Sequence, residues 1–183
     1  MPNAKLRKRF EQLALVHLDA AYNLAIRLTR NAQDAEDLVQ ESYLRAFEAF
    51  ARFQGTHSKA WLLTIVRHTF YTWQRLRMLH PDDETFEESL HTVTHESHGA
   101  GRSHLPQTPE RAVLLQADLD LVNRCLDALP TPLREVLVLR EFEGLSYQEI
   151  AGAIGVPKGT VMSRLSRARQ HLQHLLAQQM RKT

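Results

Sequence analysis

The sequence predicts an all-α protein made of two small helical domains joined by a flexible acidic linker. Three observations carry this. Apolar residues recur at spacings of three and four in both halves, and no strand-like alternation competes with them. Residues 81–110 interrupt the pattern, with three of the seven Pro, two of the seven Gly and no sustained apolar period. Charge is partitioned in the same way. Residues 1–80 hold 12 Lys and Arg against 7 Asp and Glu, residues 81–110 hold 1 against 7, and residues 111–183 hold 10 against 7. Two basic blocks thus flank an acidic one, although the whole chain carries only +2. The expected domains are 1–80 and 111–183, with 81–110 as the tether. Blocks this small bury limited surface, and simple helical packing suits them.

In the first block, Leu13, Val16, Ala20, Leu24 and Leu28 form one helical stripe. Asn31 is placed to cap the next helix, 34–51, whose apolar side carries Val39, Tyr43, Phe47 and Phe50. After Gly55 a third helix, 59–79, turns Trp61, Leu62, Ile65, Val66, Thr69, Trp73 and Leu76 inward, and Pro81 closes it. Trp61 suits core packing; Trp73 suits core packing and base stacking equally. In the second block the expected helices are 109–129, with Leu115, Leu119, Val122 and Leu126 inward, and 133–143, ending at Gly144.

The next segment carries the most information. Ser146 and Glu149 have the spacing of a capping box, Gly155-Val156-Pro157 is a tight turn, and a second helix starts near Lys158. Ile150, Ala151, Ile154, Val156, Val161 and Leu165 are spaced to form the seam between two crossed helices, a helix-turn-helix. The second helix of such a pair enters the DNA major groove. With Val161 and Leu165 inward, its outer face presents Lys158, Thr160, Ser163, Arg164, Ser166 and Arg167, small and basic groups suited to phosphates and guanine edges.

Other classes find little support. Apolar residues make up 43% and charged residues 24%, and the longest apolar runs, such as 112–115, are far short of a bilayer span. No apolar stretch follows the basic residues at the start, so a secretory signal is not expected and a cytoplasmic setting is. The single Cys125 permits no internal disulfide and no multi-cysteine zinc site. His91, His95, His98 and His104 lie in a segment without an apolar face or second shell, so no metal is expected. No nucleophile–base set or phosphate loop is present; neither a cofactor nor catalysis is expected.

The whole chain resembles the extracytoplasmic-function class of bacterial sigma factors. Residues from Leu129-Pro130 through Arg134-Glu-Val-Leu-Val-Leu-Arg140, Glu143-Gly-Leu-Ser-Tyr-Gln-Glu-Ile-Ala151 and Gly159-Thr-Val-Met-Ser-Arg-Leu-Ser-Arg-Ala-Arg169 look like the family's region 4. Asp34-Ala-Glu-Asp-Leu-Val-Gln-Glu41 resembles region 2.2, and Ala60-Trp-Leu-Leu-Thr-Ile-Val-Arg67 with the Arg75/Arg77 end resembles regions 2.3 and 2.4. The resemblance implies a subunit that binds core RNA polymerase and gives it promoter specificity. It places Asp37, Gln40 and Glu41 on the clamp of the largest polymerase subunit; Asp37 and Glu41, at i and i+4, share a helix face. It gives the −10 element to Lys59, His68, Tyr71, Thr72, Arg75 and Arg77, where basic and aromatic groups interleave as single-stranded DNA requires. It gives the −35 element to the outer face of the second helix of the pair.

It further implies an anti-sigma factor as partner, and a linker that threads the polymerase cleft. Two positions depart from the family: His68 stands where Asn is usual and Thr72 where Asp is frequent, so a −10 consensus is not transferred. A sigma-like decoy would lose DNA-facing charge, yet Arg75, Arg77, Lys158, Arg164 and Arg167 are present. A ligand-controlled repressor would need a pocket domain, for which the first block shows no signature.

Overall fold

The computed structural model describes residues 2–79 and 109–181. All its regular structure is helical. The first half comprises α1 (Pro2–Leu13), a 3₁₀ turn (Leu15–His17), α2 (Leu18–Thr29), α3 (Ala32–Ala49), a second 3₁₀ turn (Phe50–Arg52) and α4 (Ser58–Leu79). The second comprises α5 (Pro109–Asp127), α6 (Thr131–Leu137) running into a π-helical turn (Val138–Phe142), α7 (Tyr147–Ile154) and α8 (Lys158–Met180). Most of the expected linker, and with it His91, His95, His98 and His104, lies outside the described residues.

The first half is a bundle of α2, α3 and α4 with α1 laid across one end. Leu24, Leu38, Leu62, Leu63 and Val66, all 1% exposed or less, form its centre. Asn31 caps α3 as its position suggests, its side-chain oxygen accepting from the Asp34 amide at 3.0 Å. The single stripe expected from Leu13 to Leu28 is instead split between α1 and α2, and Val16 is 66% exposed. The cause is at buried Ala14. Its carbonyl accepts from the Tyr43 hydroxyl at 2.9 Å and from the His17 amide at 3.0 Å, so helical pairing gives way to a tight turn. Burial, with Asp19 nearby, pushes the Tyr43 hydroxyl up to about 12, which keeps it a donor. Phe10 then meets Tyr43, Phe47 and Phe50 edge-on. Trp61 packs on Phe53 with ring centres 4.6 Å apart. Leu76, expected inward, is 51% exposed, because at that end of α4 Trp73 and Arg77 are the residues turned toward α2 and α3.

In the second half, α5 tightens its packing toward its C-terminal end. Leu126 is fully buried and Val122 half-buried, but Leu119, also expected inward, is 47% exposed, two turns short of the packed core. The Arg134 side chain, 1% exposed overall, donates to the carbonyls of Asp127 (2.9 Å) and Leu129 (3.3 Å) and so fastens the end of α5 to α6. These are carbonyls that a helix end leaves without intrahelical partners. Burial lowers that guanidinium to about 10, still charged at neutral pH.

The helix-turn-helix forms as its residues dictate. Ser146 accepts from the Glu149 amide at 3.2 Å while the Glu149 carboxylate accepts from the Ser146 amide at 2.8 Å. Gly155 ends α7 at φ 69°, a left-handed conformation that glycine adopts without strain. Ile150, Val161, Leu165 and Ala168 fill the crossing, each 1% exposed or less.

Leu165→Ala should cost about 2–5 kcal/mol, seen as a lower midpoint in chemical denaturation followed by circular dichroism. Cys125 is 3% exposed and burial raises its thiol, so a soluble disulfide reagent should modify it only on opening of the fold, with a rate that rises sharply in denaturant.

Candidate polymerase and nucleic-acid interfaces

Three surfaces hold the candidate residues. On α3, Asp37 and Gln40 are exposed and Glu41 half-exposed along one face. Asp37 accepts a hydrogen bond from Gln33 (3.4 Å), and Glu41 pairs with Arg45 at 2.6 Å one turn on. Leu44, 64% exposed, continues the same face three residues beyond Glu41. Sequence reasoning passed over it, although its i+7 spacing from Asp37 marks it. The face is therefore acidic with an apolar end, a combination suited to a partner helix that is basic and partly apolar.

On α4 the candidate −10 residues divide. Lys59, Tyr71 and the neighbouring Arg67 turn toward the second half of the molecule, whereas His68, Thr72 and Arg75 turn away. Arg67 Nε meets Glu135 at 2.5 Å, and the Tyr71 hydroxyl donates to the other carboxylate oxygen at 3.4 Å. Glu135 is 1% exposed. Burial raises its carboxyl above the usual glutamate range, while Arg67, Tyr71 and Arg164 oppose that rise. Lys59 Nζ reaches both the Glu143 carboxylate (2.9 Å) and the Glu143 carbonyl (2.8 Å). Asn23 donates to Glu143 at 3.4 Å, Arg27 donates to Asn123 at 2.6 Å, and His57 meets Glu149 at 3.0 Å. Two carboxylates of the second half thus hold the cationic and phenolic groups of α4.

The outward residues are differently placed. Burial, and the positive charge of Arg67, lower His68, so its imidazole is neutral at pH 7 with one donor and one acceptor. Thr72 donates to the His68 carbonyl at 2.8 Å, which spends its hydroxyl on the helix. Arg75 is exposed. Arg77 lies across Trp73 and reaches Asp34 at 3.3 Å, bounding a shallow cleft of about 120 Å³ floored by Leu28 and Phe70.

On α8, Lys158, Ser163, Ser166 and Arg167 are exposed, and Ser163 and Arg167 bond back to carbonyls of their own helix. Thr160 and Arg164 are only half-exposed. They sit on the flank of the helix, and Arg164 is close enough to Glu135 and Tyr71 for its charge to be felt there. Gly159 and Met162 take their place on the open face.

The chain thus combines two helical domains, one holding a helix-turn-helix and one offering a long basic and aromatic helix. Residues 13–78 match the family Sigma-70 region 2, and residues 119–172 match Sigma-70, region 4. The chain is 36% identical over 172 residues to the ECF RNA polymerase sigma factor SigE of Mycolicibacterium smegmatis, covering 92% of itself and 62% of that longer protein. It is 32% identical over 178 residues to the RNA polymerase sigma-H factor of Pseudomonas aeruginosa, with 93% and 87% covered. Among solved structures it resembles the sigma factor RpoE in complex with the anti-sigma factor NepR from Bartonella quintana (TM-score 0.70, 33% identity, 93% and 98% covered). It also resembles CnrH in complex with the cytosolic domain of CnrY (TM-score 0.62, 25% identity, 93% and 89% covered). The chain belongs to the extracytoplasmic-function family of sigma factors. No described helix is long and apolar enough to cross a membrane.

Arg67→Ala leaves Glu135 buried without its cation. The docked arrangement should weaken by about 3–5 kcal/mol, measurable as loss of energy transfer between dyes placed on exposed positions of α1 and α8.

Proposed function

We propose that this chain carries out promoter recognition through the three surfaces just described, the α3 face docking on core polymerase, α4 reading and opening the −10 element, and α8 reading the −35 element. The observation that carries the reading is α8 itself. Its buried seam of Val161, Leu165 and Ala168 turns Lys158, Ser163, Ser166 and Arg167 outward from a firmly capped helix pair. Asp37, Gln40 and Glu41 form the polymerase contact on the clamp, with Leu44 beside them. The setting is cytoplasmic and the role non-catalytic.

Lys59 and Tyr71 join the −10 contact only after the domains part, because Glu143 and Glu135 hold them in the structure described. His68, Thr72, Arg75 and Arg77 complete that surface. Thr160 and Arg164 stand at the edge of the −35 surface, in reach of the DNA backbone. The two solved relatives are bound to an anti-sigma factor and to a cytosolic protein domain respectively, which supports an inhibitory protein partner here also.

Run-off transcription with core polymerase and a library of promoter fragments tests this directly. Selective transcripts are expected; binding to core without any transcript would instead mark a decoy. The doubly reversed variant Asp37→Lys with Glu41→Lys should lose binding to core polymerase at least tenfold, roughly one decade per 1.4 kcal/mol, while keeping its helical signal. Arg167→Ala should weaken −35 binding by about 1–3 kcal/mol if its guanidinium meets a base edge, and by a sequence-independent amount with a shallower salt dependence if it meets phosphate. His68→Asn should change the preferred −10 base without lowering binding to core.

A further inference from the structure

We propose that Met162 is a specificity-determining residue of the −35 interface and that it reads a thymine through the C5 methyl group. The inference deepens the reading of α8 as the −35 helix and rests on it. At 100° per residue, the exposed residues Lys158, Gly159, Met162, Ser163, Ser166 and Arg167 share one arc of half a turn beside the Val161–Leu165–Ala168 seam, with half-exposed Thr160 and Arg164 beyond Arg167. Met162 and Ser163 lie on either side of the line through Gly159 and Ser166 that bisects this arc. Met162 is the fifth residue of the helix, in the N-terminal portion that such helices bring to base edges.

Its chemistry is out of keeping with its neighbours. It is 51% exposed, and it is the one large apolar side chain of the described α8 face to be exposed before Met180. The second half of the molecule is already docked on the first, and that contact leaves Met162 in water. Among the described residues nothing roofs it: Gly159 has no side chain, with open space within 4 Å of where a Cβ would stand, and Ser163 is bonded back to the Thr160 carbonyl at 3.0 Å. A thioether has no strong donor or acceptor to offer a base. The apolar feature on a major-groove edge is the thymine methyl. A flexible, polarisable side chain can follow that methyl without strain. Lys158 and Arg167, at the two margins of the arc, then supply charge, and the serines supply short hydroxyl contacts.

Met162 carries no charge, so its contribution must be independent of salt, which separates it from Lys158 and Arg167. The test uses holoenzyme assembled from core polymerase and the full chain, on a promoter fragment selected in the run-off assay. Each thymine of the −35 element, on both strands, is replaced singly by deoxyuracil, which removes only the methyl, and binding is measured by competition. One such replacement should weaken the unaltered protein about threefold to tenfold, the scale of burying one methyl-sized group. Met162→Ala should lose the same factor on the parent promoter, become indifferent to that deoxyuracil and keep an unchanged salt slope. Met162→Leu should retain the methyl dependence.

The proposal is overturned if no deoxyuracil weakens binding while Arg167→Ala still does, or if Met162→Ala keeps the full deoxyuracil penalty. If Arg167→Ala and Lys158→Ala also leave −35 discrimination intact, α8 is not the reader, and the broader assignment falls with this one.

Discussion

Glu135 is the residue on which the arrangement of the whole molecule turns. A carboxylate at 1% exposure is tolerated only with a cation and hydrogen-bond donors against it, and α4 supplies both through Arg67 and Tyr71. That requirement fixes where α6 lies on the first domain. Once α6 is seated there, α7 follows along α4, and Glu143 falls within reach of Lys59 and Asn23. The apolar cores of the two halves then run together as one cluster. Buried ion pairs of this kind contribute more to the choice of one geometry than to its stability, since desolvation offsets most of the attraction. The docked state is accordingly well defined.

The proposed function requires the domains to part, because of what their contact covers. If α4 reads the −10 element as proposed, promoter DNA offers phosphates where Glu135 and Glu143 offer carboxylates, and the same cationic groups serve both. On that reading the second domain is an internal occupant of part of the −10 surface. The acidic α3 face and the outer arc of α8 stay exposed throughout. On the proposed reading, polymerase engages the α3 face while the domains are still together, and DNA contact through α8 does not require the whole of α4.

The helix-turn-helix was the most legible part of the sequence because every local signal agreed: the Ser146–Glu149 box, Gly155 at the turn and the spacing of Ile150, Ile154, Val161 and Leu165. The α3 and α4 helices were legible for the same reason. The split between α1 and α2 was not, because it depends on the Tyr43 hydroxyl reaching the Ala14 carbonyl across 29 positions. Leu119 kept the period of a core stripe where its helix had outrun the core, and Leu76 kept it where Trp73 and Arg77 take the inward side, which periodicity cannot report. On α8, basic and hydroxyl residues carry a sequence signal that Met162 lacks, and the spacing that marks Arg164 as outward does not report its position on the flank, where it is half-exposed. Glu135 and Glu143 carried no signal, since a charged residue reads as surface until its long-range partner is known.

The double use of α4 also bears on how such a protein can diverge. A change at Arg67 or Lys59 that grips DNA more firmly grips Glu135 or Glu143 more firmly too, so the gain is partly cancelled by a more persistent closed form. Those positions are held by two demands at once. On the proposed reading, His68, Thr72, Arg75 and Met162 answer to DNA alone, because none of them joins the described ion pairs between the domains. Drift in promoter preference is then cheapest at these positions.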